Sequence, residues 1–463
     1  MRKKIFILLP DGVGLKNFVF TDFYKLGLKK NYDIVFWNNT EFDLKNLNYK
    51  EIKITNSKLH SLTEFLKSAK IQIVLNQFIN KTGDKVYDSY RFPNNSYSLK
   101  SRLKSLFIKL LIFSYNSQKG LKRISKHINF FERRTNYYKG CINTLQNEKP
   151  AFVFCTNQRP VKAIAPLLAA KDLKIPTATF IFSWDNLPKA TMIVQADYYF
   201  VWSEFMKKEL LNYYSYLNKN NIFITGTPQF EPHFNRFLIQ NRKDFLKNHN
   251  LKSAKKYICF SGDDITTSPN DQYYLEDMAS AVESLNRQGM KLGIIFRRCP
   301  VDFSDRYDKV LKKYSNIITP IKPLWHKVGE SWNTVMPSVE DITLQINIIA
   351  NSEFVINVGS SMVFDFITFN KPCIYINYDT DIITENNWRI NKIYKFVHFR
   401  SMPSNDAVLW INFRSEIENI IKKAINKPSS TLKQANKWFK IINIEEPQKA
   451  SEFIWKAINK ITS

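Results

Sequence analysis

The apolar run 354–357 leads into Gly359, Ser360 and Ser361, and residues 362–370 have helical character. A strand, a glycine-serine turn and a helix in that order aim unpaired N–H groups and the positive end of the helix dipole at the space above the turn. That suits phosphate, so the stretch is a candidate site for a nucleotide, although the same residues also describe a plain turn with a serine cap. Arg297 and Arg298 follow the apolar run 292–296 and can hold a diphosphate through forked, charge-assisted hydrogen bonds. Asp365, one turn into the helix, can accept from ribose hydroxyls or simply complement the dipole.

The first half of the chain carries a different kind of loop. Asp11 lies just past the apolar run 5–9, and Gly12 and Gly14 beside it allow another molecule to approach. The turn 183–189 presents Trp184, Asp185 and Lys189 after another apolar run, and the loop 156–160 presents Arg159 with Pro160 opening a helix. Three polar loops on one sheet edge suit an acceptor site between domains. A carboxylate there can take a proton from an attacking hydroxyl, and Asp11 and Asp185 are rivals for that role. Ser338 and Asp341 have capping-box spacing, which is a structural feature, and the loop 332–336 can line a base pocket. The Asp379-Thr380-Asp381 triplet is too short and too late in the chain to count as a metal motif.

These loops need a scaffold, and the chain repeats one pattern: a short apolar strand, a polar loop, a helical stretch. Buried parallel strands read this way. Strands are predicted at 5–9, 34–37, 71–75, 151–155, 177–182, 198–201 and 222–225, then, after a polar passage at 234–256, at 257–260, 292–296, 354–357 and 373–377. The prediction is an α/β chain of two Rossmann-like, doubly wound domains facing a cleft. Residues 1–230 would bind an acceptor, 231–430 a nucleotide-linked donor, and the helices of 431–463 would pack back across both. The segment 97–138 breaks the pattern as a basic helical hairpin. Leu103, Leu106, Phe107 and Leu110 share one face, while Ile108 and Ile112 project from the other. Such a hairpin is either sandwiched in protein or seated in a lipid interface.

At 463 residues the chain exceeds one ordinary core, and its net charge of +27 favours an anionic partner. Five cysteines without C-x-x-C pairing and six histidines without helical ligand spacing point away from disulfides and from a metal cofactor. The apolar run at 5–9 is too short for a signal peptide, and no window reaches the roughly 18 apolar residues of a spanning helix. The expected location is cytosolic, peripheral on the inner face of the membrane.

Residues 183–186, 197–203, 224–229, 357–361 and 370–372 together resemble the GT-B glycosyltransferases, most closely bacterial surface-polysaccharide transferases. CDP-glycerol glycerophosphotransferases and sugar-nucleotide 2-epimerases share that architecture. The resemblance implies a nucleotide-sugar donor held by Arg297, Arg298, Gly359, Ser360, Ser361 and Asp365, and a glycan or lipid-linked acceptor near Gly12, Gly14, Arg159, Trp184 and Lys189. It further implies inverting transfer with Asp11 as base and no metal. Transfer of an alcohol phosphate from a CDP-linked donor is the alternative. Epimerisation ranks lower because the Gly-Thr-Arg-Pro-Glu sequence of the epimerases is absent, with only Asn157-Gln158-Arg159-Pro160 present. Nucleic-acid binding has only dispersed charge behind it.

Overall fold

Burial of continuous apolar runs on both faces dictates two all-parallel sheets, one in each half of the computed structural model, which describes residues 2–91, 98–327, 335–382 and 388–463. Tyr97, and Trp332 to Thr334 of the base-pocket loop, lie outside the described residues. The chain divides into two compact units, Met1–Pro228 with Ile442–Ser463, and Gln229–Ile441.

In the first unit the strands are β1 (Lys4–Leu9), β2 (Asp33–Asn38), β3 (Glu51–Lys53), β4 (Phe152–Cys155), β5 (Thr177–Phe180), β6 (Tyr198–Val201) and β7 (Ile222–Ile224), ordered 3-2-1-4-5-6-7. Side chains alternate across the sheet. Phe6 and Leu8 of β1 join Trp37, Val153 and Leu167 in one core layer. On the unit's aromatic side, Phe18 meets Phe23, Phe154 and Phe180 edge-on, each at 5.2 Å.

The predicted strand at 71–75 is instead the middle of the helix Thr63–Thr82. A short apolar run does not distinguish strand from helix. What decides it is that Leu66, Ala69 and Ile73 recur at helical spacing and pack against Ile124 and Ile128 of the helix Gln118–Glu132. The strand beside β2 is the short, half-polar β3, which periodicity does not mark. The helices Leu99–Tyr115 and Gln118–Glu132 form the basic hairpin, capped by the hydroxyls of Ser98 and Ser117. Ile108 and Ile112 face the core cluster, while Leu103, Leu106, Phe107 and Leu110 remain exposed.

The helix Ala450–Thr462 also belongs to this unit. Trp455 stacks on Phe23 (4.8 Å) and Tyr32 (5.0 Å), and its indole N–H donates to the Phe23 carbonyl (2.8 Å). Gly27 makes this approach feasible, since a Cβ there would sit 2.2 Å from the indole.

The second unit contains β8 (Lys256–Ser261), β9 (Leu292–Arg297), β10 (Ile318–Pro320), an antiparallel pair β11 (Trp325–Lys327) and β12 (Val335–Pro337), then β13 (Val355–Asn357), β14 (Cys373–Ile376) and β15 (Leu409–Ile411). Its main sheet runs 10-9-8-13-14-15. The edge strands β10 and β15 have three residues each and were not predicted. Lys371 donates to the carbonyls of Ile349, Ala350 and Ser352, which terminates the helix Val339–Asn351. Burial pulls that ammonium down to about 8. Among the described residues no helix is long and apolar enough to cross a membrane.

Trp455→Ala is expected to destabilise the first unit by about 3–5 kcal/mol while leaving the second unit's core untouched. Hydrogen exchange resolved by mass spectrometry should show faster opening at β1 and β2, with β8 and β9 unchanged.

Candidate active site

Doubly wound sheets hold ligands beyond the carboxyl ends of the strands, where the strand order reverses. In the first unit that point lies between β1 and β4, and in the second between β8 and β13. Each is described by itself.

At the first switch point Asp11 is buried, accepting from Asn157 Nδ2 (2.9 Å) and from the Val13 amide (3.2 Å). Burial raises its carboxyl from the ordinary 3.8 to about 6, against the opposing pull of these two hydrogen bonds and of Arg159. Arg159 feels both Asp11 and Asp185, although burial is the dominant effect on it and lowers its pKa. Its backbone N–H donates to Asn157 Oδ1 (3.1 Å), so Asn157 orients both the acid and the loop that carries the guanidinium. Gln158 donates to Asn186 Oδ1 (3.1 Å) and ties this loop to the next.

Asp185 differs sharply from Asp11. It accepts from Ser183 Oγ (2.6 Å) and Asn186 Nδ2 (2.8 Å) and pairs with Lys189. These contacts hold the Asp185 side chain and the Lys189 ammonium together on the loop. Trp184 is buried. Gly12 is buried, and Gly14 is small for an internal reason: a Cβ would meet Thr156 Oγ1 at 2.4 Å.

In the second unit the turn is tighter than predicted. The helix after Ser361 spans only Met362–Ile367, Ser360 N–H donates to Asn357 Oδ1 (2.8 Å), and Met362 N–H donates to Ser360 Oγ (3.4 Å). Gly359 has φ of +67°, which favours glycine, and Ile393 and Phe399 close the space beside it. Arg297 points inward. It is buried against Asp341 (2.8 Å), whose carboxylate also accepts from the Leu324 amide and the Trp325 indole. Through that pairing Arg297 anchors the helix Val339–Asn351, which Ser338 caps as predicted. Asp365 lies 2.9 Å from His233 Nε2 and accepts from Gln345 (3.1 Å), so His233 is a neighbour that sequence spacing did not reveal. Arg298 lies over the Tyr307 ring at 5.2 Å.

Asp263, two residues past β8, was also missed. It is half-buried, accepts from the Val358 amide (3.3 Å) and joins the ends of β8 and β13. Burial, with Asp271 and Asp264 nearby, holds it well above the usual carboxylate range. Its signal was present in the strand-terminal Ser261-Gly262-Asp263-Asp264 run, but nothing in the sequence distinguishes it from a polar turn. Among the described residues no group of three or more His, Cys, Asp or Glu is placed to hold a metal.

Two Rossmann-like units in one chain define a GT-B-like α/β protein. No protein-family profile matches the chain, and no curated protein matches its sequence. Solved structures do match. UDP-GlcNAc 2-epimerase from Methanocaldococcus jannaschii aligns over 99% of this chain and 100% of its own, with TM-score 0.53 and 14% identity. Staphylococcus aureus MnaA with UDP aligns over 99% and 96%, with TM-score 0.51 and 14% identity. A glycosyltransferase from Rickettsia africae aligns over 99% of both chains, with TM-score 0.51 and 11% identity. At such identities the likeness shows the fold. The predicted ranking is nonetheless corrected: transfer to a polysaccharide acceptor stood first and epimerisation near last, whereas 2-epimerases recur among the matching structures.

Two variants check this geometry. Arg297→Ala leaves Asp341 as a buried unpaired charge and should lower stability by about 3–5 kcal/mol in urea unfolding. For Asp11, the folded pKa exceeds the unfolded one, so its contribution is fully present below about pH 4 and lost as pH rises through about 6. Asp11→Asn cannot ionise and should therefore be more stable than the parent above pH 6, on the order of 2 kcal/mol, with little difference near pH 4.

Proposed function

We propose that the chain is an epimerase acting on a UDP-sugar, with no resident cofactor. The observation that carries this reading is Asp11, a buried acid at a sheet switch point, raised to about 6 and accompanied by Arg159. Inverting the carbon next to the C–O bond to UDP requires its proton to leave as the electron pair expels UDP, and a proton to arrive on the opposite face as the bond to UDP re-forms. A carboxyl with pKa near 6 is substantially ionised at neutral pH yet basic enough to hold the proton it takes. Arg159 favours the ionised form without donating, since guanidinium keeps its protons. The fold shared with UDP-GlcNAc 2-epimerases, and with a protein solved with UDP, supports a uridine diphosphate as the handle. Arg298 and the Gly359–Ser361 turn are the proposed diphosphate contacts, the turn through the Ser361 amide.

UDP-GlcNAc incubated with the protein in D2O should yield the C2 epimer carrying deuterium at C2, followed by NMR. The rate should climb with pH through about 6, and Asp11→Asn should reduce it by about two orders of magnitude at unchanged UDP affinity. UDP binding by calorimetry without any deuterium exchange would remove the epimerase reading.

A further inference from the structure

The helix Leu99–Tyr115 has one face packed and one face bare. Ile108, Leu111, Ile112 and Tyr115 pack against the core cluster of the first unit. On the opposite side Leu99, Leu103, Leu106, Phe107, Leu110 and Phe113 recur at steps of one, three and four and fall within about a third of the helix circumference. Leu99 is 78% and Phe113 87% exposed, and Phe107 is the least so, edge-on to Phe65 at 5.4 Å, so this is a continuous apolar stripe rather than scattered surface leucines.

The charge around the stripe selects its partner. From residue 98 to 131 the chain contains eight Lys and Arg and no Asp or Glu, and Glu132, the first acid, is buried. Arg102 and Lys109 flank the stripe on its own helix, and Lys119, Lys122, Arg123 and Lys126 are exposed on the next. Phe130 on the next helix is exposed as well, with the Arg134 guanidinium 3.3 Å from its ring centre. A second copy would bring the same positive field against this one. A nucleic acid would satisfy the cations but has no use for a row of exposed leucines. An anionic bilayer surface satisfies both, taking the leucines and phenylalanines into the acyl boundary and the cations at the headgroups.

We propose that the stripe on the helix Leu99–Tyr115 docks the protein on anionic lipid bilayers. Docking is interfacial, since the helix carries too many charges to span. The side inserted is the leucine face, and Ile108 and Ile112 stay in the protein. This inference does not rest on the epimerase reading and stands or falls separately from it.

The test is co-sedimentation of the full chain with phosphatidylcholine vesicles, with and without phosphatidylglycerol. Wild type should pellet only with the phosphatidylglycerol vesicles and be released by salt. The variant Leu103→Gln, Leu106→Gln, Leu110→Gln changes exposed positions, so circular dichroism and melting should be unchanged while vesicle partitioning falls about tenfold or more. Failure of wild type to bind phosphatidylglycerol vesicles overturns the proposal, as does equal binding by the folded variant. A wild-type dimer that becomes monomeric in the variant, seen by analytical ultracentrifugation, would assign the stripe to a second copy and overturn it as well.

Discussion

The chain's chemistry at its first switch point depends on how tightly β1 is held. It pairs in register with β2 on one side and β4 on the other, and from Ile5 to Leu9 every side chain is buried. Such a strand has no alternative register, because a slip by one residue would exchange both of its packed faces. Its end therefore fixes Asp11, and the paired end of β4 fixes Asn157 opposite. Thr156 packed into the space above Gly14 leaves the two loops no slack.

Each sheet places one acid two residues past a central strand, Asp11 after β1 and Asp263 after β8, each bound to the neighbouring strand's loop. Their surroundings then separate them. Asp11 has Arg159 and Asn157 as company and stays near the neutral range, whereas Asp263 has Asp264 and Asp271 and is driven towards the protonated form. Asp185, with a lysine and two donors around it, shows the third outcome: a charge held in place for structure.

Strand-loop-helix grammar made most central strands legible, because a buried parallel strand has to be a continuous apolar run. The runs at 5–9 and 292–296 could scarcely be anything else. Residues 71–75 misled for the same reason, since the partners that keep them helical lie some 50 residues away. Short edge strands such as β3 and β15 carry little apolar signal at all. At the site, positions after strands were readable but partners were not. Nothing local to Arg297 indicates that Asp341 will claim it, and nothing local to Asp365 indicates His233. The reaction was least legible, because one architecture serves transfer and epimerisation alike.

The Trp455 contact with Phe23 and Tyr32 has a consequence for biosynthesis. The first unit is assembled from both extremities of the described chain, with the entire second unit intervening in sequence. During translation β1 to β7 emerge early, but the helix that seals Phe23 is made only after the whole of the second unit. The first unit therefore closes late, with the second unit's residues already synthesised. Until then the face around Phe23 and Gly27, which Trp455 covers in the folded unit, is an open apolar surface.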